Sequence, residues 1–301
     1  MNPVTLNILT QRIKVLGNLP AMPSVLTVLC EELSAKASSI DVDRVVETIS
    51  CDKSLTAQCL RLANSALFRQ RGDVATVKEA VFALGLWRIR DLAFSCSLPQ
   101  AFANVCKAVP REVFWRHSLG AAVLSQKIAQ EFAPKLSKEA YLCGLLHDIG
   151  ILVNGVLFPD DFRDVFEESI REKAPLEEME QRVLGFTHAE SGRILADLWR
   201  LPQMCAQVIE YHHLPGDSPG EPEMNHIVSC ADSICMKNNF DYGFTTEEYP
   251  TVDNPNIWRS IAGRFPEAEA YSEEESSKLL ETWLQAATAL ADQAFPAVTV
   301  A

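Results

Sequence analysis

The chain has 301 residues, 48% of them hydrophobic, enough to bury a substantial core in one large domain or two smaller ones. Acidic residues outnumber basic ones 40 to 27, and the formal net charge of -13 sets the chain as a whole against nucleic-acid backbones and anionic membrane surfaces. No stretch reaches the roughly 20 uninterrupted apolar residues of a membrane span, Met1–Leu16 lacks the pattern of a signal peptide, and the nine cysteines, without a CxxC pair, read as reduced core thiols of a cytoplasmic protein.

Helical periodicity runs nearly throughout. Val25, Leu26, Leu29 and Leu33 form one face of a first helix over 23–33. Asp41 and Asp43 give the second an acidic start ahead of Val45, Val46 and Ile49. Ser54 is the expected cap of a third, whose apolar residues include Leu55, Cys59, Leu60 and Leu62. At its end Asn64 and Ser65 are expected to fix the following turn by side-chain bonds to the backbone. Thr76–Leu84 is a short helix, and Gly85 either ends it or marks a tight contact. Arg61, Arg69, Arg71, Arg88 and Arg90, the densest basic cluster, read as a solvated helix face.

Longer helices follow near 86–106, 111–132 (with Pro110 suited to its start) and 137–154. Others fall near 160–173, 176–184, 188–199, 202–213 and 223–238. Asn239–Pro255 reads as a loop, and helices near 256–264 and 272–295 close the chain. No alternating run is long enough for a sheet. The expectation is an all-α, multi-helix bundle, softest at Val105–Pro110, with an N-terminal subdomain 1–108, a second subdomain 109–240 and a C-terminal helical extension 241–301.

Five of the six histidines are His117, His147, His188, His212 and His213. Asp148 directly follows His147 in the apolar run Leu142–Val153, and Asp232 lies among Ile227, Val228, Cys230, Ala231, Ile234 and Cys235. A carboxylate on so apolar a helix is costly unless paired or metal-bound. Iron(II), manganese(II) and zinc(II) suit mixed imidazole and carboxylate shells, and a bridging carboxylate can serve two ions about 3.5–4 Å apart that clamp a phosphate. Such a centre draws ligands from several helices facing one core. Taken singly, each residue has a plainer reading. His117 or His188 is a hydrogen-bonded core histidine, and adjacent His212 and His213 point about 100° apart on a helix. Asp148 caps a helix or pairs with an arginine, Arg193 or Arg200. By spacing alone, a metal centre and a buried polar network stand even. His226 falls outside the set, as a surface or helix-start residue.

The order His…His-Asp…His…His-His…Asp resembles that of the HD phosphohydrolase superfamily in its two-metal form. The segments Trp115–Leu119, Gly144–Gly150, Thr187–Glu190 and Tyr211–His213 resemble its local motifs. Leu19–Pro23, Asp52–Thr56, Leu62–Ala66 and Ala80–Gly85 narrow the likeness to the HDOD domain, over roughly residues 10–240. The resemblance implies two divalent ions, iron or manganese with zinc as a further candidate. One would be held by His117, His147, Asp148 and Asp232, and the second by Asp148 as bridge with His188, His212 and His213. It also implies a regulatory output module in bacterial signal transduction, its partner a signalling protein or a phosphorylated small molecule. The alternative is a working phosphohydrolase acting on a phosphomonoester or a nucleotide phosphodiester. Two departures weigh against turnover. Where active relatives commonly continue His-Asp-Ile-Gly with lysine, this chain has Ile151, which has no hydrogen-bond donor on its side chain. After the double histidine it runs Leu214–Pro219 and lacks the Gly-Tyr-Pro loop of the cyclic-di-GMP-degrading branch.

Overall fold

A computed structural model describes residues 9, 11, 19–34, 40–69, 72–103, 109–220, 222–238, 240, 242 and 254–295. Most of Met1–Leu16, Arg71, Cys106, most of Val105–Pro110 and most of the Asn239–Pro255 loop lie outside the described residues. The fold is all-α, as its sequence pattern requires, and no strand occurs among the described residues.

The N-terminal helices are α1 (Ser24–Ser34), α2 (Val42–Ser50), α3 (Lys53–Ala63), α4 (Val77–Leu84) and α5 (Leu86–Ala101). Asp41 starts α2 by accepting the Arg44 N–H at 2.9 Å. Asp52, not Ser54, caps α3, accepting the Leu55 N–H at 3.0 Å. Asp52 has the extended backbone of a cap, whereas Ser54 already lies inside the first turn, where its hydroxyl accepts from Gln58 instead. Thr76 and Glu79 form a reciprocal capping box on α4. Gly85 ends α4 and opens α5 with a φ of 83°, and a Cβ there would meet nothing within 4 Å. Its role is therefore the positive φ rather than a close contact. Asn64 clips the 64–74 loop shut: its amide donates to the Val74 carbonyl at 3.0 Å and its carbonyl accepts the Val74 N–H at 2.8 Å. The basic cluster is not a common solvated face. Arg90 is buried against Asp91 and donates to the Lys138 carbonyl, because the guanidinium fills a junction between α5 and the next helices.

The second half is built around α6 (Arg111–Phe132), buried along most of its length. Around it run α7 (Ser137–Leu146), α8 (Ile149–Leu157), α9 (Pro159–Glu172), α10 (Leu176–Val183), α11 (His188–Trp199), α12 (Gln203–Tyr211), α13 (Glu223–Lys237), α14 (Asn254–Ala262) and α15 (Glu273–Ala294). Helices α7, α13 and α15 pack on α6, α11 packs on α8 and α12, and α5 links the N-terminal helices to α7. Phe132, Trp258, Phe265 and Trp283 form an aromatic cluster where α14 and α15 meet the end of α6.

The single helix expected over 137–154 is two helices, broken at His147–Asp148. Pro134–Leu157 is long and apolar enough by composition for a membrane span, yet its most apolar stretch is buried inside the protein. Its interruption by a histidine and an aspartate places both side chains in the core.

Candidate metal centre

Each part of the site sits where a helix delivers it. His117 lies in mid-α6, His147 and Asp148 in the α7–α8 break, and His188 in the first turn of α11. His212 and His213 follow the end of α12, and Asp232 lies on α13. The angular objection to His212–His213 assumes a helix continuing through both residues. The helix ends at Tyr211, so both rings turn to one centre, their centroids 4.0 Å apart. His226 lies in the first turn of α13, outside the cluster.

Two donor groups result, Asp148, His188, His212 and His213 in one and His117, His147, Asp148 and Asp232 in the other, with ligand atoms within 4.8 Å of one another in each. Asp148 divides its oxygens between them. Its Oδ2 lies 3.1 Å from His147 Nε2 and 3.5 Å from His117 Nε2. Its Oδ1 lies 3.2 Å from His212 Nε2 and 3.3 Å from His188 Nε2. Asp232 Oδ1 closes the first group, 3.3 Å from His117 Nε2. His213 Nε2 closes the second, 2.9 Å from His188 Nε2. The sequence reading thus names seven side chains that the fold brings together.

The far side of the rings fixes their tautomers. His117 Nδ1 faces the Phe240 carbonyl at 2.6 Å, His147 Nδ1 the Gly144 carbonyl at 2.8 Å, and His212 Nδ1 the Ile209 carbonyl at 3.0 Å. A carbonyl only accepts, so Nδ1 carries the proton and a neutral ring turns its Nε2 lone pair inward. His188 Nδ1 donates to Glu180 at 2.7 Å. Converging lone pairs and carboxylates need a positive charge among them. Protons supply it in part. Burial resists charging His147, but Asp148 and Asp232 override it and raise its pKa to about 10. Burial likewise resists charging His188, and Glu180 and Asp148 raise it well above its ordinary value. His212 and His213 are lowered, first by burial. Burial favours a neutral Asp148, yet His147, His188 and His212 hold it well below the usual carboxylate range. Arginine does not serve: Arg193 pairs with Asp197 and Glu210, and among the described residues no lysine or arginine forms an ion pair with Asp148. A buried imidazole and carboxylate set with every Nε2 facing inward fits one or more divalent ions.

Three participants escape the sequence reading. Glu180 is fully buried, accepts the backbone N–H of His188 at 2.8 Å as well as its ring proton, and is itself held by Asn154 at 2.8 Å. Its signal was its place beside Met179 and one helical turn after Leu176, both buried. Tyr242 donates its hydroxyl to Asp148 Oδ2 and lies over the His117 ring, 4.5 Å between centroids. Glu177 joins it on the wall of a narrow cleft that also reaches Asp148, His188, His213, Asp232 and Ile151.

The sequence profile of the HDOD domain matches residues 19–215. An uncharacterized protein of Treponema pallidum is 25% identical over 207 residues, which are 68% of this chain and 40% of that protein. The chain therefore spans about two-fifths of the curated relative it matches. An HDOD domain protein of unknown function from Geobacter sulfurreducens shares the fold with a TM-score of 0.80 at 24% identity, over 97% of this chain and 98% of that one. A protein from Shewanella amazonensis, provisionally named a phosphohydrolase, superposes with a TM-score of 0.73 at 22% identity, over 96% and 97% of the two chains. A second from the same organism, provisionally named a metal-dependent phosphohydrolase, gives 0.59 at 18% identity, over 93% and 98%.

Proposed function

The chain belongs to the HDOD domain family, and on that basis we propose that it is a bacterial signal-transduction protein whose buried centre holds two divalent ions as a structural or sensory element. The ions are iron or manganese, with zinc as a further candidate, and its setting is the cytoplasm. One observation carries the dinuclear reading: Asp148 points one oxygen at each of two donor groups. His117, His147, Asp148 and Asp232 would hold one ion, and Asp148, His188, His212 and His213 the other. Bound there, the ions would supply positive charge to a phosphate or hydroxide.

The cleft favours a regulatory role over turnover. Among the described residues its wall carries no lysine or arginine, and Ile151 occupies the position where a phosphate-binding lysine would stand. Glu177 adds a carboxylate at the wall, and burial raises its pKa. Apart from the ions, an incoming phosphate would find no lysine or arginine among the described residues of the wall. In this reading the partner is a signalling protein or a phosphorylated small molecule, with residues 1–108 as an N-terminal HDOD subdomain, 109–240 as the metal-bearing subdomain and 241–301 as a C-terminal extension.

A second reading, a metal-dependent phosphohydrolase, is favoured by the complete donor set and by the cleft that reaches it. Element analysis of protein purified without chelator, with turnover assays on generic phosphoesters and a nucleotide panel, separates the two. The expected outcome is about two ions per chain without efficient hydrolysis, cyclic di-GMP included. Asp148→Ala should empty both positions. Fewer than one ion per chain in wild type removes the metal reading, retention of both ions in Asp148→Ala removes the bridge, and robust turnover replaces the regulatory role with the enzymatic one.

A further inference from the structure

The Sγ atoms of Cys143 and Cys205 lie 3.6 Å apart, on α7 and α12, and both side chains are buried. Cys205 also lines a cavity with Trp87, Arg90, Glu139 and Met204. Each thiol sits just upstream of a piece of the metal centre. Cys143 stands one helical turn before His147–Asp148, and Cys205 two turns before His212–His213. We propose that Cys143 and Cys205 form an oxidisable dithiol, a modification site at which a peroxide joins α7 to α12 through a disulfide.

The roles follow from access. A small peroxide enters the cavity and meets Cys205, which lines its wall, whereas Cys143 is not part of that wall. The hydrogen bond with the Cys205 sulfur, with burial adding to the effect, pushes the Cys143 thiol well up, so Cys143 stays protonated and acts second. The Cys205 sulfur attacks the O–O bond, becoming a sulfenic acid and releasing water from hydrogen peroxide or an alcohol from an organic peroxide. The Cys143 sulfur then displaces the sulfenic hydroxyl, which leaves as water with the Cys143 proton. Two thiols lose two protons and two electrons, and the peroxide accepts both. The second step is intramolecular between atoms already in contact, which favours it strongly over attack by an outside thiol. Closing the sulfurs from 3.6 Å to the S–S length of about 2.0 Å draws together two helices that end in metal ligands. Coupling to the centre rests on the metal reading above, whereas the disulfide itself does not.

The full-length protein is treated with a slight excess of hydrogen peroxide, alkylated after denaturation and mapped by mass spectrometry. The expected product is a Cys143–Cys205 cross-linked peptide pair, two hydrogens lighter than the reduced pair and restored by dithiothreitol. In Cys143→Ser, Cys205 should be trapped by dimedone as its sulfenic acid. If both thiols remain alkylatable while exposed Cys51 is oxidised, or if Cys205 joins Cys30 instead, the proposal falls. The map reads out whether or not metal is bound. In metal-loaded protein, the oxidised form should release its ions to a chelator faster than the reduced form, and equal rates would overturn the coupling.

Discussion

Glu180 shows what a single side chain contributes to the centre. Its carboxylate fixes the His188 ring and backbone together, so the ring cannot rotate its Nε2 away from Asp148. A carboxylate behind a ligating imidazole also raises the basicity of the ligand, and losing such a partner typically weakens metal affinity by about 10–100-fold. Glu180→Gln keeps the shape and removes the charge. It should therefore weaken the His188, His212 and His213 position while leaving the Asp232 side filled. Chelator competition with manganese or zinc reads this directly, and unchanged affinity at both positions would show that Glu180 only packs. The seven ligand candidates were legible from their order, which resembles that of a two-metal HD site, whereas their spacing alone left a buried polar network equally open. Glu180 was hidden among the acidic residues of Leu176–Val183, and only its spacing from Leu176 and Met179 marks it as inward. Tyr242 was hidden because it lies in a stretch without a helical period, just past the boundary expected at 240.

At the scale of elements, backbone approach determines whether His188 reaches the centre. A Cβ on Gly150 would lie 1.8 Å from the His188 carbonyl and 2.7 Å from Gly192 N, so α8 and α11 cross with no room for a side chain. Gly150→Ala must separate the helices, and overpacking of this kind costs about 1–3 kcal/mol or more. Gly216→Ala, which adds its methyl to open space, is the matched control. The urea midpoint should fall in the first and hold in the second, and equal midpoints would mean that the crossing yields freely. Asn64 makes a comparable statement for the N-terminal helices. Removing its two bonds across the 64–74 loop by Asn64→Ala should cost about 1–2 kcal/mol, and an unchanged melting temperature would reduce the clip to an incidental contact. Helix existence was legible from periodicity almost everywhere, because caps and apolar stripes are local. The break at His147–Asp148 was not. Leu142–Val153 reads as one continuous apolar run, and only the tertiary requirement that both side chains face the same centre interrupts it. The cap of α3 fell two residues earlier than expected because aspartate and serine are both good caps, and backbone conformation decides between them.

For the whole molecule, the centre ties α6, α11, α13 and the ends of α7 and α12 to one point, so its charge state bears on global stability. In the ion-free protein, His147 has a folded pKa of about 10, above its unfolded value of about 6.5. Its contribution is complete below the unfolded value and is lost as pH rises toward the folded one. Asp148 and Asp232 are depressed, so their contribution is present above about pH 4 and is lost as pH falls through their folded values. His212 and His213, held neutral by burial, disfavour the fold increasingly as pH drops below about 6.5. Bound ions reverse the alkaline side. They need each Nε2 unprotonated, so binding competes with protons at His147 and His188 and strengthens as pH rises. The melting temperature with metal minus that with chelator should therefore widen between about pH 6 and about pH 8.5. At metal concentrations of about 100 times Kd, the stabilisation is about 2.7 kcal/mol, or roughly 5 °C. Differential scanning calorimetry across that range decides it. A gap that narrows with rising pH would mean that the imidazoles do not hold the ions, and that the cluster folds as a proton-bridged polar network instead.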